Sequence, residues 1–346
     1  MNTSSNIVIF KNDRTGDLIT SLPAINLIIQ ENQNENIVIY LSEINYKMKF
    51  LFEGKNVKVN LIKYKLDLKD RFKILGFFLK SNISKVYILR PKNFFFILPI
   101  IFYFKKILFY GFCLNGKNNY KRPNNFLRRF LTKFVINDRA TSKKRMSRNE
   151  LQIYLVNETY NKLITKNYNF EISETLKNIL PKNYSLIHYK KQIYDELGWG
   201  INGLNKIINE LLKHYPNVIV INDINQKQDN LIFKNKYDWY DFDDKKYKIN
   251  NSKILYLANL DGLEMFNTIK YSKKMIACHG TLTLLGNLFK IPILDIFYCN
   301  IKNKNDFYRY KNSFHEWKPS DKNYDFIIPS SDLNRSIKKM QFSLKK

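Results

Sequence analysis

The strongest constraint on how this chain can fold is an alternation. Short runs of β-branched and aromatic residues are separated by stretches with helical spacing. In the first half the runs are IVIF (Ile7 to Phe10), IVIYL (Ile37 to Leu41), KVYIL (Lys85 to Leu89) and KILFYGF (Lys106 to Phe112). The second half repeats the theme with YSLIHY (Tyr184 to Tyr189), NVIVIND (Asn217 to Asp223), KILYL (Lys253 to Leu257), KKMIAC (Lys273 to Cys278) and PILDIFY (Pro292 to Tyr298). Helical patterns at Leu204 to His214, Leu263 to Tyr271 and Leu282 to Phe289 lie between them. Such runs suit strands buried on both faces, joined by crossover helices, which predicts an α/β protein with doubly wound parallel sheets. In that architecture ligands sit beyond the carboxyl ends of the strands. With 346 residues, 45% of them hydrophobic, the chain can build two cores. From Arg139 to Lys182 the strand signal gives way to a polar, mainly helical stretch. The boundary is therefore expected near Pro181, with domains 1–181 and 182–346. The tail carries apolar residues at helical spacing (Leu333, Ile337, Met340, Leu344) and is expected to be a terminal helix that packs back on the first domain.

Several classes are set aside. Cys113, Cys278 and Cys299 have no CxxC spacing, so neither a disulfide framework nor a zinc site is suggested, and a reducing cytoplasm fits. The start, MNTSSNIVIFKNDR, lacks the pattern of a secretory signal. The most apolar stretch, Phe94 to Phe104, is far short of the about 20 residues of a spanning helix. The net charge of +28 points to an anionic partner or to a solvated lysine-rich surface.

One loop concentrates chemistry. After IVIF come Lys11 to Gly16, then Asp17, a hydroxyl pair (Thr20, Ser21) and Pro23. Thr15 as helix cap with Asp17 in the first turn is one reading. A carboxylate held at the end of the first strand is the other, with Gly16 leaving room for a substrate near the backbone.

The string KNDRTGDLITSLPAINLI resembles the N-terminal signature of glycosyltransferase family 9, the ADP-heptose:lipopolysaccharide heptosyltransferases and their relatives. LANLDGLEMFNTIKYSKKMIACHGTLTLLGNLFKIPILDIFY resembles the C-terminal segment of the same family. The pattern covers most of Ile7 to Tyr298, and only its two ends are motif-specific. The resemblance implies a GT-B fold, two Rossmann-like domains facing across a cleft. It also implies inverting, metal-independent transfer of a sugar from a nucleoside-diphosphate donor to a lipopolysaccharide-core or related surface-glycan acceptor, with no cofactor. The general base falls on Asp17, with Arg14, Thr15 and Gly16 on the acceptor side. One carboxylate suffices because the leaving diphosphate is already a good leaving group. Lys190 and Lys191 stand where the family places a phosphate-contacting lysine, and the Gly280-Thr281 turn offers amides at a helix start. The family loop commonly reads Asp-Thr-Gly with a later His. Here His279, Gly280 and Thr281 stand there, with Leu284 at the later position. An acidic donor contact is therefore missing, which leaves the transferred sugar open, heptose or another. His279 is either a donor contact or a structural histidine.

Other features keep two readings. GWGING (Gly198 to Gly203) formally matches a dinucleotide fingerprint, with Asp223 as its acidic ribose ligand, but KKQIYDEL separates it from the strand. Asp223 can equally hold a donor ribose. Phe94 to Phe104 reads as a core helix or as a patch facing an anionic membrane. Asn119 to Phe134, with Lys121, Arg122, Arg128, Arg129 and Lys133, suits a phosphorylated glycolipid or, less well, nucleic acid. The competing class is a basic, non-catalytic protein that binds nucleic acid or lipid.

Overall fold

The structure, a computed structural model, describes residues 5–52, 54–115, 125–138, 146–159, 168, 170–222, 231–298 and 322–344. The chain divides into two compact units, the first running to Tyr168 and the second starting at Asn169. The division falls before Pro181 because the intervening residues are tied to the second unit. Asn267 Nδ2 donates to the Glu171 carbonyl at 3.4 Å, and Phe170 packs edge-on to Phe266.

The first unit is built on six strands: β1 (Asn6–Phe10), β2 (Asn36–Ser42), β3 (Val57–Ile62), β4 (Ile83–Ile88), β5 (Leu108–Asn115) and β6 (Lys133–Asp138). Their order is β3-β2-β1-β4-β5-β6, and every pairing is parallel. Residues 7–10 of β1 are fully buried, as a central strand covered on both faces requires. The order reverses between β1 and β4, which makes their carboxyl ends the switch point. Helix α1 (Thr15–Glu31) follows β1, α2 (Leu68–Lys80) follows β3, and α3 (Asn93–Ile101) and the short α4 (Asn125–Arg128) precede β5 and β6. Helix α5 (Arg148–Val156) packs on α1, where Ala24, Leu27 and Ile153 form a small apolar cluster.

The apolar segment at Phe94 divides its faces. Phe95, Phe96 and Leu98 enter the core, with Phe95 stacked 4.1 Å from Phe10, whereas Ile97, Ile100, Ile101, Tyr103 and Phe104 are exposed. Of the basic segment, Lys121 and Arg122 lie outside the described residues. Arg128 is buried, Arg129 is exposed, and Lys133 pairs with Glu158 at 2.9 Å. Cys113 and Cys278 are buried, and Cys299 lies outside the described residues.

The second unit carries β7 (Tyr184–His188), β8 (Asn217–Ile221), β9 (Asp238–Asp241), β10 (Lys246–Lys248), β11 (Ile254–Ala258), β12 (Lys274–Cys278), β13 (Ile293–Ile296) and β14 (Tyr324–Ile327). The order is β10-β9-β11-β8-β7-β12-β13-β14, parallel except for the β9-β10 hairpin. Its switch point lies between β7 and β12. Helices α6 (Glu174–Ile179), α7 (Lys191–Glu196), α8 (Gly200–Leu212), α9 (Leu231–Lys236), α10 (Gly262–Lys270) and α11 (Thr281–Leu288) join these strands, and α12 (Leu333–Leu344) ends the unit.

The terminal helix packs within the second unit. Ile337, Met340 and Leu344 of α12 belong to the second unit's core beside Leu204, Ile207 and Leu211 of α8. The apolar stripe of α8 runs the length of the helix, so α12 finds a matching face within its own unit. Among the described residues, no helix is long and apolar enough to cross a membrane.

Candidate functional site

In the first unit, the loop after β1 is held down residue by residue. Asn12 Nδ2 donates to the Lys63 carbonyl at 3.0 Å and Asn45 Nδ2 donates to the Lys11 carbonyl at 2.8 Å. Thr15 does not cap α1. Its hydroxyl donates to the Ile44 carbonyl at 3.1 Å, Arg14 occupies the N-cap position, and no side chain caps the helix there. Thr20 and Ser21 are spent on the carbonyls of Gly16 and Asp17. The hydroxyl pair therefore fastens the helix start that presents Asp17.

Four charges meet at this strand end. Lys11, with no exposed surface, places Nζ 2.7 Å from Asp13 Oδ2. Arg148 Nη1 donates to Asp17 Oδ1 at 2.5 Å, while Nη2 lies 3.8 Å from Asp13 Oδ2. Arg148 is the first residue of α5, whose start is set by a capping box between Ser147 and Glu150. Its guanidinium also lies over the Phe112 ring, at 5.2 Å. Burial pushes the Asp17 carboxyl up, but Arg148 and Lys11 outweigh it and hold the group below its ordinary value. Asp17 is thus an ionised carboxylate with a side chain 21% exposed, one oxygen committed to Arg148. Burial dominates at the other pair, pushing Asp13 up and Lys11 down. At the end of β4, Arg90 is buried and stacked 4.0 Å over the Tyr64 ring. Burial, followed by the charge of Arg90, brings the Lys92 amine down to about 8. Asn12 Oδ1, Asp13 Oδ1 and Arg90 Nη1 are buried with no hydrogen-bond partner. Orphaned buried polar atoms are uncommon in folded proteins, and these three lie just beyond the carboxyl ends of β1 and β4.

In the second unit, the candidates sit at the ends of neighbouring strands. Lys190 and Lys191 follow β7 directly, at the start of α7. His279 and Gly280 follow β12, and Thr281 opens α11, where no side chain caps the helix. β7 and β12 pair in parallel, so both groups flank the switch point. His279 is not a lone histidine. Its Nδ1 lies 2.6 Å from Oδ2 of Asp295, a fully buried carboxylate on β13. Thr283 and Tyr324 donate to the same carboxylate at 3.0 and 2.8 Å. Asp223 lies outside the described residues.

The dinucleotide reading of GWGING is corrected. Gly198 lies between α7 and α8, Gly200 opens α8 and Gly203 lies within it, so the whole of α7 separates all three from β7, whereas a fingerprint turn leaves the strand directly. Gly198 and Gly200 adopt φ of 69° and 48°, a left-handed geometry that accounts for both glycines by the turn alone. Asp241, at the end of β9, is likewise structural, taken up by Lys234 and Asn259 at 2.7 and 2.8 Å.

Arg148 and Asp295 went unread in the sequence. The Ser-x-x-Glu box at Ser147 marked the start of α5, and an acid inside the apolar strand PILDIFY is a buried charge that demands a partner.

No protein-family model matches the chain, and no curated protein matches its sequence. Solved structures do. E. coli ADP-heptose lps heptosyltransferase II superposes with a TM-score of 0.64 at 11% identity, covering 98% of this chain and 98% of that one. The fold is GT-B. A glycosyl transferase family 9 protein from Veillonella parvula gives 0.61 at 13% identity, over 99% and 94% of the two chains. A UDP-GlcNAc 2-epimerase from Methanocaldococcus jannaschii gives 0.52 at 13%, over 99% and 93%. The GT-B chain described here thus shares its two-sheet architecture with proteins whose names all concern nucleotide sugars or glycosyl transfer.

Proposed function

We propose that the chain is an inverting, metal-independent glycosyltransferase that moves a sugar from a nucleoside-diphosphate sugar to a lipopolysaccharide-core or related surface-glycan acceptor. The observation that carries this reading is Asp17, an ionised, partly exposed carboxylate fixed by Arg148 at the switch point of the first sheet. It serves as the general base that takes the proton of the acceptor hydroxyl, with Arg14, Thr15 and Gly16 on the acceptor side. In the second unit, Lys190, Lys191, His279 and the amides of Gly280 and Thr281 receive the donor diphosphate. Asp223 is assigned to the donor ribose. The names of the structural relatives, a heptosyltransferase and a family 9 glycosyl transferase, support the same chemistry. Peripheral contact with an anionic membrane, on the cytoplasmic side, would bring a lipid-linked acceptor to the enzyme. The exposed face of α3 supports that contact.

A thermal-shift screen of nucleoside diphosphates and their sugars tests the reading. Selective protection by one base is expected, worth about 2.7 kcal/mol at a hundred times Kd. Release of the nucleoside diphosphate should then depend on added acceptor, which separates transfer from epimerisation. A basic nucleic-acid- or lipid-binding protein would show no base-selective protection, and that result would remove the proposal.

A further inference from the structure

Beyond the carboxyl ends of β3 and β4 the first unit holds a cavity of about 420 Å³, within the roughly 300–1,000 Å³ of small-molecule sites. Its wall takes Lys65 from the loop after β3, Arg71 from α2, and Lys92 and Phe94 from the turn into α3. Three cations from three elements thus line one space, and among the described residues no acidic side chain lines it. The carboxylates of the surrounding loops are engaged elsewhere. Glu43 accepts the Tyr64 backbone N–H at 2.6 Å, Asp67 pairs with Lys63 at 2.8 Å and caps α2, and Asp70 accepts the Lys63 backbone N–H at 2.8 Å. Among the described residues, none of the three lining cations forms an ion pair. Lys92 Nζ donates to the Tyr64 carbonyl at 2.7 Å, which joins the two loops and leaves the ammonium two further donors. Arg71 lies over the Phe94 ring at 5.6 Å. After burial, it is the charges of Arg90 and Lys65 that lower the Lys92 amine, as positive groups gathered without a counter-ion do. No side chain caps the start of α3 and its first turn holds no acid, so the helix dipole adds charge of the same sign. Both loops are tied to the one that leads to Asp17. Asn12 Nδ2 donates to the Lys63 carbonyl at 3.0 Å, and the Leu89 N–H donates to the Phe10 carbonyl at 3.2 Å.

We propose that this cavity is a subsite for a phosphate monoester carried by the acceptor. The proposal rests on reading the first unit as the acceptor side of a glycosyltransferase. A planar carboxylate is satisfied by one guanidinium in a two-pronged pair. The oxygens of a tetrahedral dianion accept from several sides at once, which suits donors arriving from three separate elements. Leu66 and Phe94 complete an apolar wall against which the sugar ring bearing the phosphate lies.

Hydrogen exchange on the full chain, titrated with ligand at low salt, tests the subsite. The probes are inorganic phosphate, glucose 6-phosphate, mannose 6-phosphate, glucosamine 6-phosphate, glucose and glucuronate. The sugar phosphates should slow exchange in residues 63–66 and 91–94, at least one of them binding more tightly than inorganic phosphate. Glucuronate should bind about tenfold more weakly, and glucose should have no effect. Lys65→Gln and Arg71→Gln change exposed side chains and should each weaken sugar-phosphate binding about three- to tenfold. Lys73→Gln removes the same charge from an exposed position of α2 outside the cavity and should leave binding unchanged. An equal loss in Lys73→Gln would assign the binding to the general charge of the chain. Glucuronate as tight as the sugar phosphates would remove the selectivity for phosphate, and no sugar phosphate tighter than inorganic phosphate would leave a site for the bare ion. Each of these results overturns the proposal while the transferase reading stands. Failure of that reading shows separately, as the absence of base-selective protection by nucleoside diphosphates, and would withdraw the acceptor role from the cavity even where sugar phosphates bind.

Discussion

At the scale of single residues, the first unit turns on one guanidinium. Arg148 is 7% exposed and answers both Asp13 and Asp17, so removing it strands two carboxylates with Lys11 as the nearest cation. Arg148→Met is expected to cost about 3–5 kcal/mol, the range for breaking a buried ion pair, read from urea unfolding. The pH dependence has a definite sign. The folded-state pKa of Asp17 lies below the ordinary value of 3.8, so its contribution is present above that value and is lost as the pH falls through the folded pKa. Asp13, pushed up by burial, works in the opposite sense. The acid limb assigned to Asp17 should therefore flatten in Arg148→Met. The catalytic assignment has a separate readout. Asp17→Asn keeps the size of the side chain and should leave diphosphate affinity unchanged while lowering turnover by roughly 10²- to 10⁴-fold. Near-wild-type turnover in that variant would return Asp17 to a structural role in the first turn of α1.

At the scale of elements, α10 shows how a helix start can carry a pH response of its own. Asp261 caps the helix by accepting from the backbone N–H groups of Leu263 and Glu264 at 2.7 and 2.8 Å. Burial, and then the neighbouring Asp261 carboxylate, pushes the Glu264 carboxyl up to about 8 from its ordinary value of 4.5. An acid with a raised folded pKa binds a proton on folding, so stability declines as the pH rises from 4.5 toward 8 and levels off beyond. Glu264→Gln should show a smaller fall in Tm between those limits by scanning calorimetry. A decline as steep as that of the wild type would assign the dependence to other groups.

At the scale of the whole molecule, each unit has its own sheet, its own apolar core and its own switch point. The proposed labour divides the same way, with the base in the first unit and the donor in the second. Hydrogen exchange should therefore respond locally. A saturating nucleoside diphosphate is expected to slow exchange in residues 189–192 and 279–284 and to leave residues 11–17 unchanged. Equal protection at both places, or protection at residues 11–17 alone, would contradict that division. The net charge of +28 gives the molecule a general attraction for anions but does not choose among them.

The sequence alone determined the central strands, because a strand covered on both faces must be apolar throughout. Runs such as IVIF and KKMIAC announce β1 and β12 without help from the rest of the chain. It also placed Asp17 at a strand end, since Gly16-Asp17 follows such a run by only a few residues. Edge and hairpin strands stayed hidden. VKVNLI, DWYD and KYK mix polar with apolar residues because one side faces solvent, and only their neighbours make them strands. What each charged group does was decided by tertiary structure. Arg148 reaches Asp17 across 131 positions of chain, and Asp295 reaches His279 from the next strand of the sheet. A buried charge must find its counter-charge through space, and local sequence records that demand without recording which residue meets it.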